Sequence, residues 1–407
     1  MLHSKARLPL IASLSVTAFL LCLFMLGVLV HRVDASPGAL QDPKQANRAF
    51  SVVTTSEFTP THWVYLPLTA RGQAVQTFGY GIQVNSAGDA SANIGHIKTL
   101  GFGWMKAQVP WKNVEPNPGD YRWDAWDQLI GAYHAEGIKT LVSIVKAPNW
   151  ARPSNTNFSV EGPPADPATY ASFVGQFSGR YCGKVQAIEV WSEQNIFYEW
   201  GGEPLDAARY VSLLRAAYLA IKSACPSISV VSGAPTPTGA GAPVAIDDVV
   251  YLQQMYQAGL RNYCDAIGAH PYGYNNPPDA RLGYTDPADP SYKNHRSFFF
   301  RETLEAYRTV MVSFGDANKR IWPTEFGWPS TIYPEPGYEY AYSNTLAEQA
   351  QYSVMAYQMA QAWGWIGPMF LWNLDFGVTE PWSTLAYWSL LRPDPVPAYA
   401  ALAAMPK

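Results

Sequence analysis

Charged residues are scarce in this sequence. They make up 15% of its 407 residues, against about 25% in an average soluble domain. The formal net charge is only −4, whereas a protein that binds nucleic acid usually carries a basic face. The sequence also shows no internal repeat, no phosphate-binding loop, no Ser-His-Asp order and no cluster of histidines or cysteines at metal-ligand spacing. We therefore expect no nucleic-acid partner, no metal and no cofactor.

Cysteines are few as well, four in all. Cys22 lies in an apolar N-terminal segment, and Cys182, Cys225 and Cys264 each precede a predicted strand. That placement would bring these three together at one end of a barrel, and an exported chain can form disulfides. We expect one structural disulfide among them, and the sequence does not say which two cysteines pair.

Aromatic residues, in contrast, are plentiful at 14%, with 15 tryptophans and 25 tyrosines. They are compatible with a tryptophan-rich core and with a cleft whose flat rings stack on sugars. Composition does not separate the two possibilities.

The N-terminus carries an export signal. Lys5 and Arg7 precede an almost unbroken apolar run over residues 8–30, and this order is typical of export segments. The run is longer than the usual apolar core of about 7–15 residues and approaches the ~20 residues that span a bilayer. Residues 1–35 are therefore interpreted as a signal peptide, with cleavage favoured before Ser36, or as an uncleaved signal anchor. Either way we expect an extracellular protein, secreted or anchored to the outer face of the plasma membrane.

Two further regions follow. Residues 36–76 are rich in Pro, Ser, Thr and Gln and are interpreted as a linker or stalk. In residues 77–407 short β-rich runs alternate with amphipathic helical stretches, a pattern typical of βαβ units and a parallel sheet. Eight strands favour a closed (β/α)8 (TIM) barrel over a doubly wound sheet. The predicted strands are 78–84, 103–109, 139–145, 185–191, 227–232, 266–270, 319–324 and 368–373.

The predicted loops differ in length. Loops that enter strands are short, whereas those that leave strands 6, 7 and 8 are long, at residues 272–295, 326–344 and 375–395. The loops after the strands build the active face of such a barrel, and long loops there usually form functional rims.

Two glutamates lie where hydrolytic chemistry needs them. Glu193 follows the fourth predicted strand in the segment WSEQN, and Glu325 follows the seventh in the segment WPTEFGW. A single glutamate after a strand is most often a solvated loop residue or part of a salt bridge. Hydrolysis of a glycosidic bond with retention, however, needs two carboxyl groups about 5–5.5 Å apart. Two strand ends of one barrel can supply them.

Both segments resemble those of a large clan of retaining glycosidases, which carry the acid/base after strand 4 and the nucleophile after strand 7. The acid/base there commonly lies in a Trp-Asn-Glu-Pro-Asn segment, with which residues 191–195 align. The nucleophile often lies in Thr-Glu-Phe-Gly-Trp, which residues 324–328 match. The resemblance covers roughly residues 78–401 and is closest to the family 39 β-xylosidase-like and the cellulase-like members. It implies that Glu193 is the acid/base, that Glu325 is the nucleophile and that the substrate is a β-linked plant or microbial carbohydrate.

The resemblance also implies substrate-binding residues around this pair. Relatives place groups that hydrogen-bond the nucleophile and the sugar after strand 6, and a tryptophan floor beneath the reacting sugar at the end of strand 8. Tryptophans in the loops after strands are candidate stacking platforms, although packing is the commoner role of each. The predicted substrate-binding residues are Lys106, Trp150, Ser192, Asn195, His270, Tyr272, Trp328 and Trp372.

The sequence departs from the clan at three positions. Ser192 replaces the usual Asn, Gln194 replaces Pro, and Lys106 stands where an Arg is usual. Lysine supplies a point charge without the two-pronged geometry of arginine. The departures leave two alternatives open, a catalytically silent barrel that binds glycans and a transglycosylase that uses the same two glutamates. We expect a monomer; the sugar, the linkage and the exo or endo mode do not follow from the sequence.

Overall fold

The computed structural model describes residues 77–393 and 395–407. The predicted export segment, residues 1–35, and the predicted linker, residues 36–76, lie outside the described residues, so both interpretations stay predictions. Within the described part of the chain, no helix combines the length and the apolar character needed to cross a membrane.

Eight parallel strands form the centre of the fold, as predicted. Strands β1 to β5 and β8 pair in the order β5-β4-β3-β2-β1-β8, and β6 pairs with β7. Single parallel bridges join the two sets: Val231 with Ala266 between β5 and β6, and Ile321 with Ile366 beside β7 and β8. The sheet therefore closes into a barrel. The strands are β1 (Gly79–Gln83), β2 (Trp104–Pro110), β3 (Lys139–Val145), β4 (Ala187–Val190), β5 (Ser229–Ser232), β6 (Ile267–Ala269), β7 (Ile321–Pro323) and β8 (Pro368–Leu371).

The inside of the barrel has two layers, because alternate residues of a strand point to the same side. The lower layer is apolar. Two residues further towards the carboxyl ends of the strands, the inner face is polar and buried. Its side chains are Lys106, Ser143, Glu189 and Thr324. The active face thus stands on an apolar plug. The plug consists of Trp104, Leu141, Ala187, Val231, Ala266, Trp322 and Phe370.

Helices surround the barrel and bury their apolar faces against it. Most of the longer ones begin at a side chain that accepts backbone N–H groups, such as Asp166, Asp206 and Asp247, which satisfies donors left open in the first turn. The helices are α1 (Ala90–Thr99), α2 (Trp111–Val114), α3 (Asp124–Ala135), α4 (Pro167–Arg180), α5 (Ala207–Ala224), α6 (Asp248–Gln257), α7 (Phe300–Ser313), α8 (Leu346–Trp363), α9 (Phe376–Thr379) and α10 (Pro397–Ala404).

One disulfide joins two neighbouring helices. Cys182, just after α4, is bonded to Cys225, just after α5, and Cys264 is a buried free thiol. The structure thus selects the pair that the sequence left open.

The loops after β6, β7 and β8 are long, as predicted. They contain short 3-10 helices at Arg296–Phe298, Glu339–Ala341 and Thr384–Trp388. Their aromatic side chains pack against one another: the rings of Tyr338 and Trp388 lie 5.9 Å apart, from centroid to centroid. These loops form an aromatic rim on the active face.

Candidate active site

Glu193 and Glu325 come together at the carboxyl ends of β4 and β7. One carboxylate oxygen of each and a ring nitrogen of His270 all lie within 4.8 Å of one another. That proximity suits the pair of carboxyl groups of a retaining mechanism. The side chain of Glu193 is 24% exposed and that of Glu325 only 6%, so Glu193 is the one that water can reach.

The backbone around Glu193 is bent sharply. Trp191 and Glu193 have left-handed backbone angles, with φ of 69° and 52°, and such residues cost of order 1–3 kcal/mol each. The Glu193 N–H donates to the Ala234 carbonyl at 2.9 Å. This bond helps to hold the strained turn that places the carboxyl group over the barrel mouth.

Glu325 is surrounded by donors. Lys106 Nζ lies 2.7 Å from its Oε1, and the Tyr272 hydroxyl donates to its Oε2 at 2.9 Å. Burial acts to raise the pKa of Glu325, but the charges of Lys106 and His270 and the hydrogen bonds from Lys106 and Tyr272 outweigh it, so the pKa lies below its ordinary value. Glu325 is therefore held as a carboxylate.

His270 lies between the two carboxyl groups. Its Nδ1 is 3.0 Å from Glu193 Oε1 and 3.8 Å from Glu325 Oε2. Burial acts to lower the pKa of this fully buried ring, yet the charge of Glu325 and the hydrogen bond and charge of Glu193 raise it above its ordinary value. These charges favour the protonated form of His270, in which Nδ1–H donates to Glu193.

Two carboxylates and an imidazole can also bind a metal ion. Glu325 already accepts from the ammonium group of Lys106 at 2.7 Å, and a cation bound between the carboxylates would lie close to that positive charge. The positive charge of Lys106 therefore disfavours a metal ion at this position.

Glu189 is a charged residue of the site that sequence reasoning missed. It lies on β4, is fully buried and accepts hydrogen bonds from Ser143 and Thr324. Its Oε2 is 3.8 Å from Lys106 Nζ. The sequence does contain a signal for it: Glu189 lies two positions after Ala187 in the same strand, so both side chains point to the inside of the barrel.

Glu199, in the loop after β4, was also missed. Burial raises its pKa to about 8, the charge of Lys146 opposes the increase, and the charge of Glu193 adds to it. Burial and the neighbouring negative charges therefore favour the protonated form of Glu199.

Comparison with solved structures identifies the architecture. A family 39 glycoside hydrolase from the gut symbiont Bacteroides cellulosilyticus matches with 22% identity and a TM-score of 0.61, covering 81% of this chain and 64% of that chain. The chain has the barrel fold of glycoside hydrolases. A GH39 β-xylosidase from Caulobacter crescentus matches with 19% identity and a TM-score of 0.56, over 82% of this chain and 71% of that one. A glucosidase from Croceicoccus marinus matches with 14% identity and a TM-score of 0.57, over 81% and 67%.

The match therefore spans less than two thirds of the length of the Bacteroides protein. No protein-family model and no curated protein matches the sequence. The likeness is to the fold of family 39 and related glycoside hydrolases, as the sequence motifs implied.

Several predicted substrate-binding residues lie at the barrel mouth. His270 and Tyr272 contact the two glutamates, Lys106 contacts Glu325, and the Lys106 ammonium group lies 6.0 Å from the centre of the Trp372 ring. Ser192 is buried, at 5% exposure, directly before Glu193. The geometry gathers these side chains around one small volume.

Two other predicted residues have their polar groups bound by the protein itself. Asn195 is fully buried and bonds to the backbone of Thr236 and Ile246. Trp328 is 1% exposed, and its indole N–H donates to the Asn276 carbonyl at 2.7 Å. Both side chains therefore hold loops together in this structure, and their predicted contact with substrate stays a prediction.

Trp150 has an intermediate position. It is 37% exposed, its indole N–H donates to the Glu115 carbonyl at 3.2 Å, and its ring meets Trp111 edge to face. This tryptophan lies on the loop after β3 and keeps part of its surface open to solvent.

Proposed function

We propose that this protein is a retaining glycoside hydrolase acting on β-linked carbohydrates. The observation that carries the proposal is the pair Glu193 and Glu325, with oxygens within 4.8 Å of each other at the mouth of the barrel. The likeness in fold to solved structures named as a family 39 glycoside hydrolase and a β-xylosidase supports the substrate class.

In the first step, Glu325 attacks the anomeric carbon and forms an ester with the sugar. The bond from that carbon to the leaving oxygen breaks, and the leaving oxygen takes the proton of Glu193. Lys106 and Tyr272 each donate to Glu325 and aim its carboxylate. As Glu193 loses its proton, a proton on His270 Nδ1, 3.0 Å from Glu193 Oε1, would stabilise the new negative charge.

In the second step, Glu193 acts as a base. It removes a proton from water, the water oxygen attacks the anomeric carbon, and the bond to Glu325 breaks. The partial exposure of Glu193 supports this role, because the base must receive water from outside. The buried Glu325 suits the opposite requirement, a nucleophile that is shielded from solvent.

The decisive experiment uses 2-fluoro glycosides with good leaving groups, which trap the glycosyl-enzyme. Residues 72–407 are incubated with xylo, gluco, galacto, manno and arabino reagents, and the intact mass is recorded. We expect an increase by one fluorosugar for at least one reagent, mapped to Glu325. Glu325→Gln is the matched control and should take no label. No adduct with any reagent would oppose the proposal and favour a catalytically silent glycan-binding barrel.

The roles of the two glutamates are tested separately with an activated aryl glycoside. Glu193→Ala should keep measurable turnover because a good leaving group needs no proton, whereas Glu325→Ala should not. Equal loss in both variants would contradict the assignment. Product analysis with an added sugar acceptor distinguishes hydrolysis from transglycosylation.

The proposed location is extracellular. The disulfide between Cys182 and Cys225 supports it, because such bonds persist in oxidising compartments. N-terminal sequencing of the protein from the host separates a cleaved signal before Ser36 from a retained anchor.

A further inference from the structure

Glu189 is the most deeply buried acidic group of the barrel mouth. Its side chain has no exposure, and a lone buried charge is costly unless it is paired and hydrogen-bonded. Thr324 Oγ1 donates to its Oε1 at 2.7 Å, the Ala234 N–H lies 3.3 Å from the same atom, and Ser143 Oγ donates to Oε2. These donors make the pocket of Glu189 a site for a carboxylate.

The other charged partner of Glu189 is Lys106. Lys106 Nζ lies 3.8 Å from Glu189 Oε2 and 2.7 Å from Glu325 Oε1, and the Lys106 side chain is fully buried. The ammonium group therefore lies between two carboxylates, one of which is the proposed nucleophile. The flexible side chain of Lys106 is thereby held in one position by two carboxylates, Glu189 on β4 and Glu325 after β7.

The negative charge next to Lys106 changes during the proposed reaction, and this change bears on the role of Glu189. When Glu325 becomes an ester, it loses its negative charge, and the buried ammonium of Lys106 loses the nearer of its two partners. The negative charge moves to Glu193, which contacts His270 at 3.0 Å. Only Glu189 then remains beside Lys106 as a carboxylate within 4 Å among the described ion pairs.

We propose that Glu189 is a positioning residue that aims Lys106 at Glu325 and supplies the counter-charge of Lys106 while Glu325 is esterified. This inference rests on the proposed function, because it concerns the covalent intermediate. The total charge of Glu325, Lys106, Glu189 and Glu193 is the same before and after the step, and no group outside the site has to supply a proton.

A purely structural role is the competing explanation. Glu189 also connects strands, through Ser143 on β3 and Thr324 after β7, and loss of these bonds alone would lower stability. The two roles differ in what they do to Glu325. Removing a negative charge near a carboxyl group lowers its pKa, whereas removing a hydrogen bond between strands does not.

The test compares Glu189→Gln with the wild-type enzyme. The variant keeps the shape of the side chain and removes its charge. We expect labelling by the reactive 2-fluoro glycoside to slow at least about tenfold at saturating reagent. We also expect the acidic limb of the labelling rate to move to lower pH by about half a unit or more, since Lys106 then acts on Glu325 alone. The charged or titratable groups near Glu325 in the described part of the chain include Lys106, Glu189, Glu193, Glu199, His270 and Tyr272.

Ser143→Ala is the matched control. It removes one hydrogen bond to Glu189 and leaves every charge in place, so it should lower the melting temperature without moving the acidic limb. If Glu189→Gln fails to fold, Glu189→Asp keeps the charge but draws it back from Lys106, and should slow labelling with a smaller shift of the limb in the same direction.

The outcomes separate this inference from the proposed function. A wild-type enzyme that takes no label refutes the proposed function itself. A wild-type enzyme that labels, with a folded Glu189→Gln variant that labels at the same rate and with the same pH profile, refutes the inference alone. A slower rate with an unchanged acidic limb assigns Glu189 a structural role and also refutes it.

Discussion

Replacing Lys106 with methionine should remove the main reason why Glu325 is ionised. Methionine has a similar length and no charge, so burial, which acts to raise the pKa of Glu325, would lose its strongest opponent. The contact is short, 2.7 Å between Nζ and Oε1, and both side chains are buried. Breaking a buried ion pair costs about 3–5 kcal/mol.

Part of that cost appears in the transition state, where Lys106 no longer aims the nucleophile. We expect kcat/KM on an aryl glycoside to fall about 100-fold or more, which corresponds to roughly 3 kcal/mol. The acidic limb of the kcat/KM profile should move to higher pH, because Glu325 must lose its proton before it can attack. Steady-state kinetics between pH 4 and pH 9 measure both effects.

Lys106→Arg is the control that keeps the charge. It should retain the acidic limb near the wild-type position, even if the larger guanidinium lowers the rate. A folded Lys106→Met variant whose acidic limb coincides with that of the wild type would refute the reasoning, because the pKa of Glu325 would then owe nothing to Lys106.

Two predictions concern stability. The pKa of His270 is raised in the folded state, so its contribution should be full below the unfolded value of about 6.5 and disappear as the pH rises through the folded pKa. The melting temperature of the wild type minus that of His270→Gln should therefore shrink with increasing pH, and a constant difference would contradict this. The disulfide closes a loop with a sequence separation of 43, which corresponds to about 4 kcal/mol in the chain-entropy model. A Cys182→Ser and Cys225→Ser double variant should unfold at clearly lower urea concentration than the wild type, while Cys264→Ala should show a much smaller change.

The barrel could be predicted from the sequence because its strands and helices alternate regularly. The predicted strand at 319–324 is observed as Ile321–Pro323, and that at 185–191 as Ala187–Val190. Strand β4 ends at Val190 because the backbone turns there, as the left-handed angle of Trp191 shows. Such a turn leaves no clear mark in a hydrophobic pattern.

The meeting of the two glutamates could be predicted from the sequence. Glu193 and Glu325 follow strands that end at the same face, so their meeting depends only on the topology. Trp328 and Asn195 lie close to these glutamates in sequence, but their side chains hydrogen-bond to the backbone of loops. The sequence motif does not show in which direction these side chains point. Glu189 was not predicted as a site residue. A glutamate within a buried strand costs free energy unless it has partners, and its partner Lys106 lies on another strand, so the sequence does not show the pair.

The apolar plug beneath the site has a consequence for the fate of the bound sugar. Trp104, Trp322 and Phe370 fill the interior below the catalytic layer, so we infer that neither water nor product crosses the barrel. In the proposed reaction, the departing alcohol, the incoming water and a second sugar would then all use the open end of the barrel, where Glu193 is partly exposed. Hydrolysis and transfer would therefore compete for the same entrance.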